Sequence, residues 1–288
     1  MKIMMMNLIR TSTSLIILIL MFTSQSSAKF DPKTLVGAWL FDGNAKDASG
    51  NGKDGTLENG PKWTAGKFGQ ALEFNGGKKS YVNVGNLGLK GPVTLVFWAK
   101  PAGAKDDDRL ISNINGPAVP AFSIRFAPPK VEFWGSTWQP VIPKFEDNQW
   151  GHYAFVFDDK TNVTGYYNGK KGLTVQDNCA FTDIGIGANF IGQWGQHFTG
   201  LMDEVAFFNV ALTQDEVVTI KENSLAEADV QGGSVAMWLF DEGTGGVAKD
   251  SSGNGNDGVL KNDPQWVVGK VGQALKFDGG KKSYVDVG

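Results

Sequence analysis

Short apolar runs broken by turn residues dominate the chain, and no long stretch repeats with a helical period. "VTLVFWAK" (Val93 to Lys100) is apolar at nearly every position and predicts a mostly buried strand. "WGHYAFVFD" (Trp150 to Asp158) alternates aromatics with smaller residues and predicts another. In "VTGYYNGKKG" (Val163 to Gly172), Asn168-Gly169 supplies the positive φ values of a two-residue type I′ hairpin turn. "TGLMDEVAFFNVALTQDE" (Thr199 to Glu216) begins as a strand and turns into a short helix. Thr213 stands at its N-cap, with Glu216 placed to complete a capping box. Many short strands, one terminal helical turn and no alternation of strands with helices predict an all-β, antiparallel two-sheet sandwich.

A second pattern is repetition. Residues 46–85 align without a gap to residues 249–288, with 28 identities in 40 positions. The similarity extends back to "AWLFD" (Ala38 to Asp42) and "MWLFD" (Met237 to Asp241). A period near 200 residues is that of a whole domain, not of a solenoid repeat. The second copy stops after about 50 residues, too few to close a sandwich whose strands need partners in both sheets. The expected organisation is a domain over 30–225, a polar linker over 226–234 and the truncated start of a second domain over 235–288.

Residues 1–28 read as a signal peptide: Lys2 and Arg10 precede the apolar "LIILILMF", and Ser26 and Ala28 fit the cleavage positions. The apolar stretch is short for a membrane anchor, which is the alternative. The mature chain is expected to be secreted or extracytoplasmic, at the cell surface or in the periplasm, with no membrane span. The single cysteine, Cys179, cannot form an internal disulfide, so packing or metal must hold the exported fold. The formal charge of −3 and the lack of a long basic run exclude nucleic acid as a natural partner. Asn162-Val-Thr164 is a glycosylation triplet of the kind that arises often by chance.

The motifs "AWLFD", "DASGNGKDG", "GKFGQALEFNGG", "YVNVG", "LVFWAKP", "WGHYAFVFD", "YYNGK" and "GLMDEVAFFNVALTQDEV" follow one another in the order found in LamG-like domains. The chain resembles that family, within the concanavalin A-like lectin/glucanase superfamily, over Val36 to Leu225 and again from Val235 to Gly288. The resemblance implies an antiparallel jelly-roll sandwich, often with a calcium ion at one edge.

"DASGNGKDG" (Asp47 to Gly55) returns as "DSSGNGNDG" (Asp250 to Gly258), offering oxygens at alternate positions with glycines that let the backbone curl around an ion. It is not an EF-hand, because its flanks read as strands and Lys261 replaces the last acidic ligand in the second copy. The resemblance places Asp42 and Asp203 near the loop. The expected calcium ligands are therefore Asp42, Asp47, Asn51 and Asp203, and in the second copy Asp241, Asp250 and Asn254. The competing reading of the same residues is an Asx-turn network capping its own backbone.

No Glu-x-Asp-x-x-Glu run of a glucanase is present, and His152 and His197 are too few for a zinc site, so the expectation is a binding module and not an enzyme. Trp134 and Trp138 in "VEFWGSTWQP", and Gln193, Trp194 and His197 in "NFIGQWGQHF", are the candidate contacts for an extracellular polysaccharide or glycan. The rival is a protein-adhesion or spacer domain, in which these tryptophans meet a protein partner. Trp39, Trp98, Trp150 and Trp238 are expected in the core.

Overall fold

The computed structural model describes residues 30–115, 121–188, 196–225, 238–251, 255–269 and 273–287. The expected signal peptide and linker, together with Gln193, Trp194 and Asn254, lie outside these residues.

In chain order the strands of the first unit are β1 (Leu35–Trp39), β2 (Thr56–Glu58), β3 (Lys62–Ala65), β4 (Gln70–Phe74), β5 (Tyr81–Asn86), β6 (Val93–Pro101), β7 (Asp108–Asn113) and β8 (Ser123–Ala127). There follow β9 (Lys130–Trp134), β10 (Trp138–Ile142), β11 (Gly151–Phe157), β12 (Asn162–Tyr167), β13 (Lys170–Gln176), β14 (Asp183–Ile186), β15 (Gln196–His197) and β16 (Gly200–Phe208). Helix α1 (Gln214–Glu222) comes next, opened by the capping box between Thr213 and Glu216. Two sheets form. The first runs β13-β12-β11-β6-β16-β4-β3, with β1 also on β16; the second runs β10-β9-β8-β7-β14-β5-β2, with β15 beside β7. All pairs are antiparallel except β15 with β7.

Alternation decides what lies between the sheets. Leu95, Phe97, Tyr153, Phe155 and Phe207 of the first sheet face Ile111, Ile124, Phe126 and Phe133 of the second in one cluster. The intervening residues of the first sheet, Val96, Ala154, Val156, Ala206 and Phe208, point outward. There they meet Phe30, Leu212 and the Val217–Ile220 face of α1 in a second cluster. The helix thus covers one half of that outer face. Asn168 and Gly169 have φ of 50° and 77°, the turn the hairpin sequence required.

Of the expected core tryptophans only Trp39 lies between the sheets. Trp98 is buried on the outer face of the first sheet, under Phe68 at 6.0 Å between ring centroids. Trp150 and Trp238 are half-buried: the first precedes β11, and the second makes only an isolated bridge to Asp250.

Residues 238–287 form β17 (Val247–Ala248), β18 (Gly258–Lys261), β19 (Gln265–Val268), β20 (Gln273–Lys276) and β21 (Tyr284–Asp286). Their contacts match those at the aligned positions of the first unit. Trp238 Nε1 donates to Asn256 O as Trp39 Nε1 does to Lys53 O, and Gln273 N donates to Asp241 as Gln70 N does to Asp42.

Thr94 ties the segment leading into α1 to the middle of the first sheet: its hydroxyl donates to Val210 O and accepts from Leu212 N, the second bond fully buried. Thr94→Val keeps the shape and leaves both backbone groups unpaired. Chemical denaturation should show a loss of about 2 kcal/mol.

Candidate functional site

The residues singled out in the sequence fall at three places. The first is the repeated loop. Asp47 Oδ1 accepts from Ala38 N and Ser49 N, and Oδ2 from Lys53 N, at 2.9–3.0 Å. Burial would raise this carboxyl, but the Ser49, Ala38 and Lys53 hydrogen bonds bring it below the usual range. The Asn51 amide nitrogen donates to Leu35 O and Val36 O. The loop is therefore stitched to β1 by its own Asp and Asn, and the Ser49 N to Asp47 Oδ1 bond within it is that of an Asx turn. Asp250 repeats part of it, accepting from Asn256 N.

Asp42 and Asp203 meet elsewhere, on the turn joining β3 to β4. Asp42 Oδ1 accepts from Gln70 N, and Asp203 Oδ2 accepts from Lys67 N and Phe68 N. Each carboxylate sits beside a strained backbone: Phe41 has φ of 57° and Glu204 φ of 49°. Phe240, just before Asp241, repeats this at 58°. The β16–β6 register shifts between Asp203 and Ala206, so a bulge re-aims the pair. Asp203 is fully buried and its Oδ1 has no partner. Burial first, then the charges of Glu204 and Asp42, push this carboxyl up to about 7. Glu204, its neighbour, is also buried. It accepts from Ser224 Oγ and from Leu225 N, pinning the chain beyond α1.

The third place is the outer face of the second sheet. Trp134 and Trp138 pair directly across β9 and β10, with ring centroids 5.2 Å apart. Both are half-buried. The guanidinium carbons of Arg109 and Arg125 lie 4.5 and 4.0 Å from the Trp138 ring centre, so the indole rests on two cations. Arg125 forks onto Glu132 Oε2 through Nε and Nη2, and its Nη1 reaches Asp107. Arg109 donates Nε to Asp107 and Nη1 to Ser123 Oγ. Asp107 reaches both arginines from a left-handed backbone, φ 73°. Burial would raise Glu132, but Arg125 and Lys130 hold it below the usual range. His197 is the register partner of Arg109, so it shares this face, with Tyr81 at 6.2 Å between centroids. Trp134 Nε1 and His197 Nδ1 are buried there without a partner.

The structure thus brings Trp134, Trp138 and His197 to one sheet face. Sequence reasoning missed Arg109, Arg125, Asp107 and Glu132. The alternation in "SIRFA" (Ser123–Ala127) and "KVEFW" (Lys130–Trp134) puts Arg125, Glu132 and Trp134 on the non-core face, and that signal could have found them. Asp177 braces the β9–β10 connection, accepting from Ser136 N, Ser136 Oγ and Gln139 Nε2. It also lines a cleft of about 330 Å3 with Phe157, Asp158, Asn162 and Phe181. In that cleft the Asn162 amide is engaged, donating to Asp158 Oδ2. Burial pushes the Cys179 thiol up to about 12, which makes it unreactive.

A family model described as the concanavalin A-like lectin/glucanases superfamily matches residues 75–218. The chain matches no curated protein. Among solved structures it is similar to domain 4 of AbnA, an extracellular arabinanase from Geobacillus stearothermophilus in complex with arabinotriose. The identity is 23% with a TM-score of 0.55, over 65% of this chain and 98% of that one. It is also similar to the binding domain of Paraclostridial Mosquitocidal Protein 1, at 18% identity and TM-score 0.53, over 66% of this chain and 52% of that one. A third is Trypanosoma rangeli sialidase in complex with sialic acid, at 16% identity and TM-score 0.51, over 66% and 33%. At these identities the likeness is one of fold.

Asp203 sets a pH dependence of unusual sign. Its folded value of about 7 lies above the ordinary 3.8, so between these limits the folded chain binds the extra proton and stability falls as pH rises. His152 and His197, depressed by burial to about 3 and about 4, act in the opposite sense below pH 6.5. Asp203→Asn should remove only the first effect. Without divalent cations, its Tm should fall less than the wild type's between pH 5 and pH 8.

Proposed function

Because the chain belongs to the concanavalin A-like lectin/glucanases superfamily, we propose that it is a non-catalytic glycan-binding module working outside the cytoplasm. The observation that carries this reading is the Trp134–Trp138 pair, with Trp138 laid on the guanidinium groups of Arg109 and Arg125. An indole held from below by two side chains that are themselves fixed by ion pairs is a rigid, flat surface on which a sugar ring can stack. Hydroxyl-reading groups lie beside it, the Asp107 and Glu132 carboxylates, each oriented by its arginines. The arabinotriose complex of a relative supports the substrate class. The exported location rests on residues 1–28 and on that relative's being extracellular.

The carboxylates on this face argue against hydrolysis. A retaining glycosidase tunes one acid upward; here Glu132 is held down by Arg125 and Lys130, and Asp107 is tied to both arginines. Asp203 is raised, but it belongs to the other sheet. A protein-adhesion role draws less support, since this face is ringed by ion pairs and is not a flat apolar patch.

We also propose a structural calcium ion. Asp203 Oδ1, buried and without a partner, is an anionic oxygen that a hard cation would satisfy, and Asp42 adds charge at the same turn. In this proposal Asp203 and Asp42 hold the ion, as Asp241 would in the repeat, while Asp47 and Asn51 close their loop on the backbone. The ion would supply charge compensation and tie β16 to the β3–β4 turn.

Two measurements test these readings. Trp138→Ala, checked for native circular dichroism, should lose about tenfold or more in affinity for whichever immobilised polysaccharide the wild type retains. For micromolar affinity, 1 mM calcium against EGTA should stabilise the mature chain by about 4 kcal/mol, raising Tm by several degrees. Asp203→Ala should abolish that shift, while Asp47→Ala lowers Tm in both conditions and keeps it.

A further inference from the structure

Glycans divide into neutral ones and those bearing carboxylate or sulfate, and lectin sites for the second kind need a cation that is free to pair. Three cations stand on the outer face of the second sheet beside the tryptophans: Arg109, Arg125 and Lys130. Each already has a carboxylate. Arg109 Nη2 lies 2.6 Å from Asp107 Oδ1, and Arg125 lies 3.1 Å from Asp107 and 2.8 Å from Glu132. Lys130 Nζ lies 3.1 Å from the other oxygen of Glu132, and Asp106 stands 3.8 Å from Arg125. The fork donors are used as well: Nε and Nη2 of Arg125 go to Glu132, Nη1 to Asp107, and Nη1 of Arg109 to Ser123. Lys79, whose charge also lowers His197, is exposed.

We infer that this face selects an uncharged sugar: its guanidinium groups serve to support Trp138 and fix the carboxylates, and among the described residues each cation beside the tryptophans is already paired with a carboxylate. The inference rests on the glycan reading above and narrows it. An anionic ligand would have to break a partly buried fork between Arg125 and Glu132, leaving a carboxylate behind in a site with little water. A neutral sugar stacks on the half-buried Trp138 indole and offers hydroxyls to carboxylates already oriented by their arginines, disturbing neither. Burial also keeps the His197 ring neutral near pH 7, adding no charge.

The test is binding of the mature chain to four immobilised probes: arabinan and laminarin as neutral glycans, polygalacturonic acid and a sialylated oligosaccharide as acidic ones. Each is read at about 0.05 M and about 0.5 M salt, since only exposed charge pairing is screened over that range. The expected result is retention on a neutral probe, changing less than about twofold with salt. Glu132→Gln, nearly the same shape, releases Arg125 and Lys130 and should gain at least about threefold on polygalacturonic acid at low salt. Wild-type preference for an acidic probe, lost at high salt, overturns this inference and leaves the glycan reading standing. A folded Glu132→Gln protein with no such gain overturns it too. Wild-type binding to none of the four overturns the glycan reading and this inference with it.

Discussion

The structure depends on β16 finding the middle of the first sheet. Gly200–Phe208 pairs with β6 on one side and with both β4 and β1 on the other. Its partners lie about a hundred residues or more earlier, so the sheet stays in two parts until the last long strand arrives. The loop-closure entropy of such pairings must be met before any burial repays it. What repays it is the contribution of β16 to both sides of the sheet: Met202, Val205 and Phe207 go into the central core, Ala206 and Phe208 under α1. The same strand carries Asp203 and Glu204, and their carboxylates clamp the two segments that must dock on it, the β3–β4 turn and the chain after α1.

That arrangement leaves one polar oxygen of Asp203 buried with nothing to bind. On the outer face of the second sheet buried charge is satisfied by pairing, as with Arg125 and Glu132. The exception lies where two left-handed, non-glycine residues bend the backbone, and strain of that kind persists where surrounding contacts hold it for a purpose. The calcium ion proposed above would satisfy the orphan oxygen and compensate the charge of the raised carboxyl.

The two sheets divide the labour. The outer face of the first is spent on stability, roofed by α1 and by the Phe68 turn over Trp98. The outer face of the second carries the ion-paired support for Trp138. Its charges lie on adjacent strands of an antiparallel ladder, Arg109 opposite Arg125 and Arg125 opposite Glu132, so sheet registry itself sets the pairing. Asp107, with its positive φ, joins the two arginines at the end of the row.

Strand identity, the Asn168-Gly169 turn, the Thr213 capping box and the repeat at Asp47 and Asp250 could all be read along the chain, because each depends on a few neighbouring residues. Trp134 and Trp138 could be named for the same reason: their hairpin is local. The grouping of residues could not. Whether Asp42 and Asp203 sit with Asp47 depends on where β16 docks, and the docking puts them on a different turn. Trp98 alternates correctly for a strand yet faces outward, since alternation gives two faces and only packing says which is inside. The support of Trp138 by Arg109, 29 positions earlier in another strand, needed four strands laid side by side. The sequence by itself determined the elements, their turns and the chemistry available; the tertiary structure decided which charges met, because in a sheet sandwich contact is set by registry between strands distant in the chain.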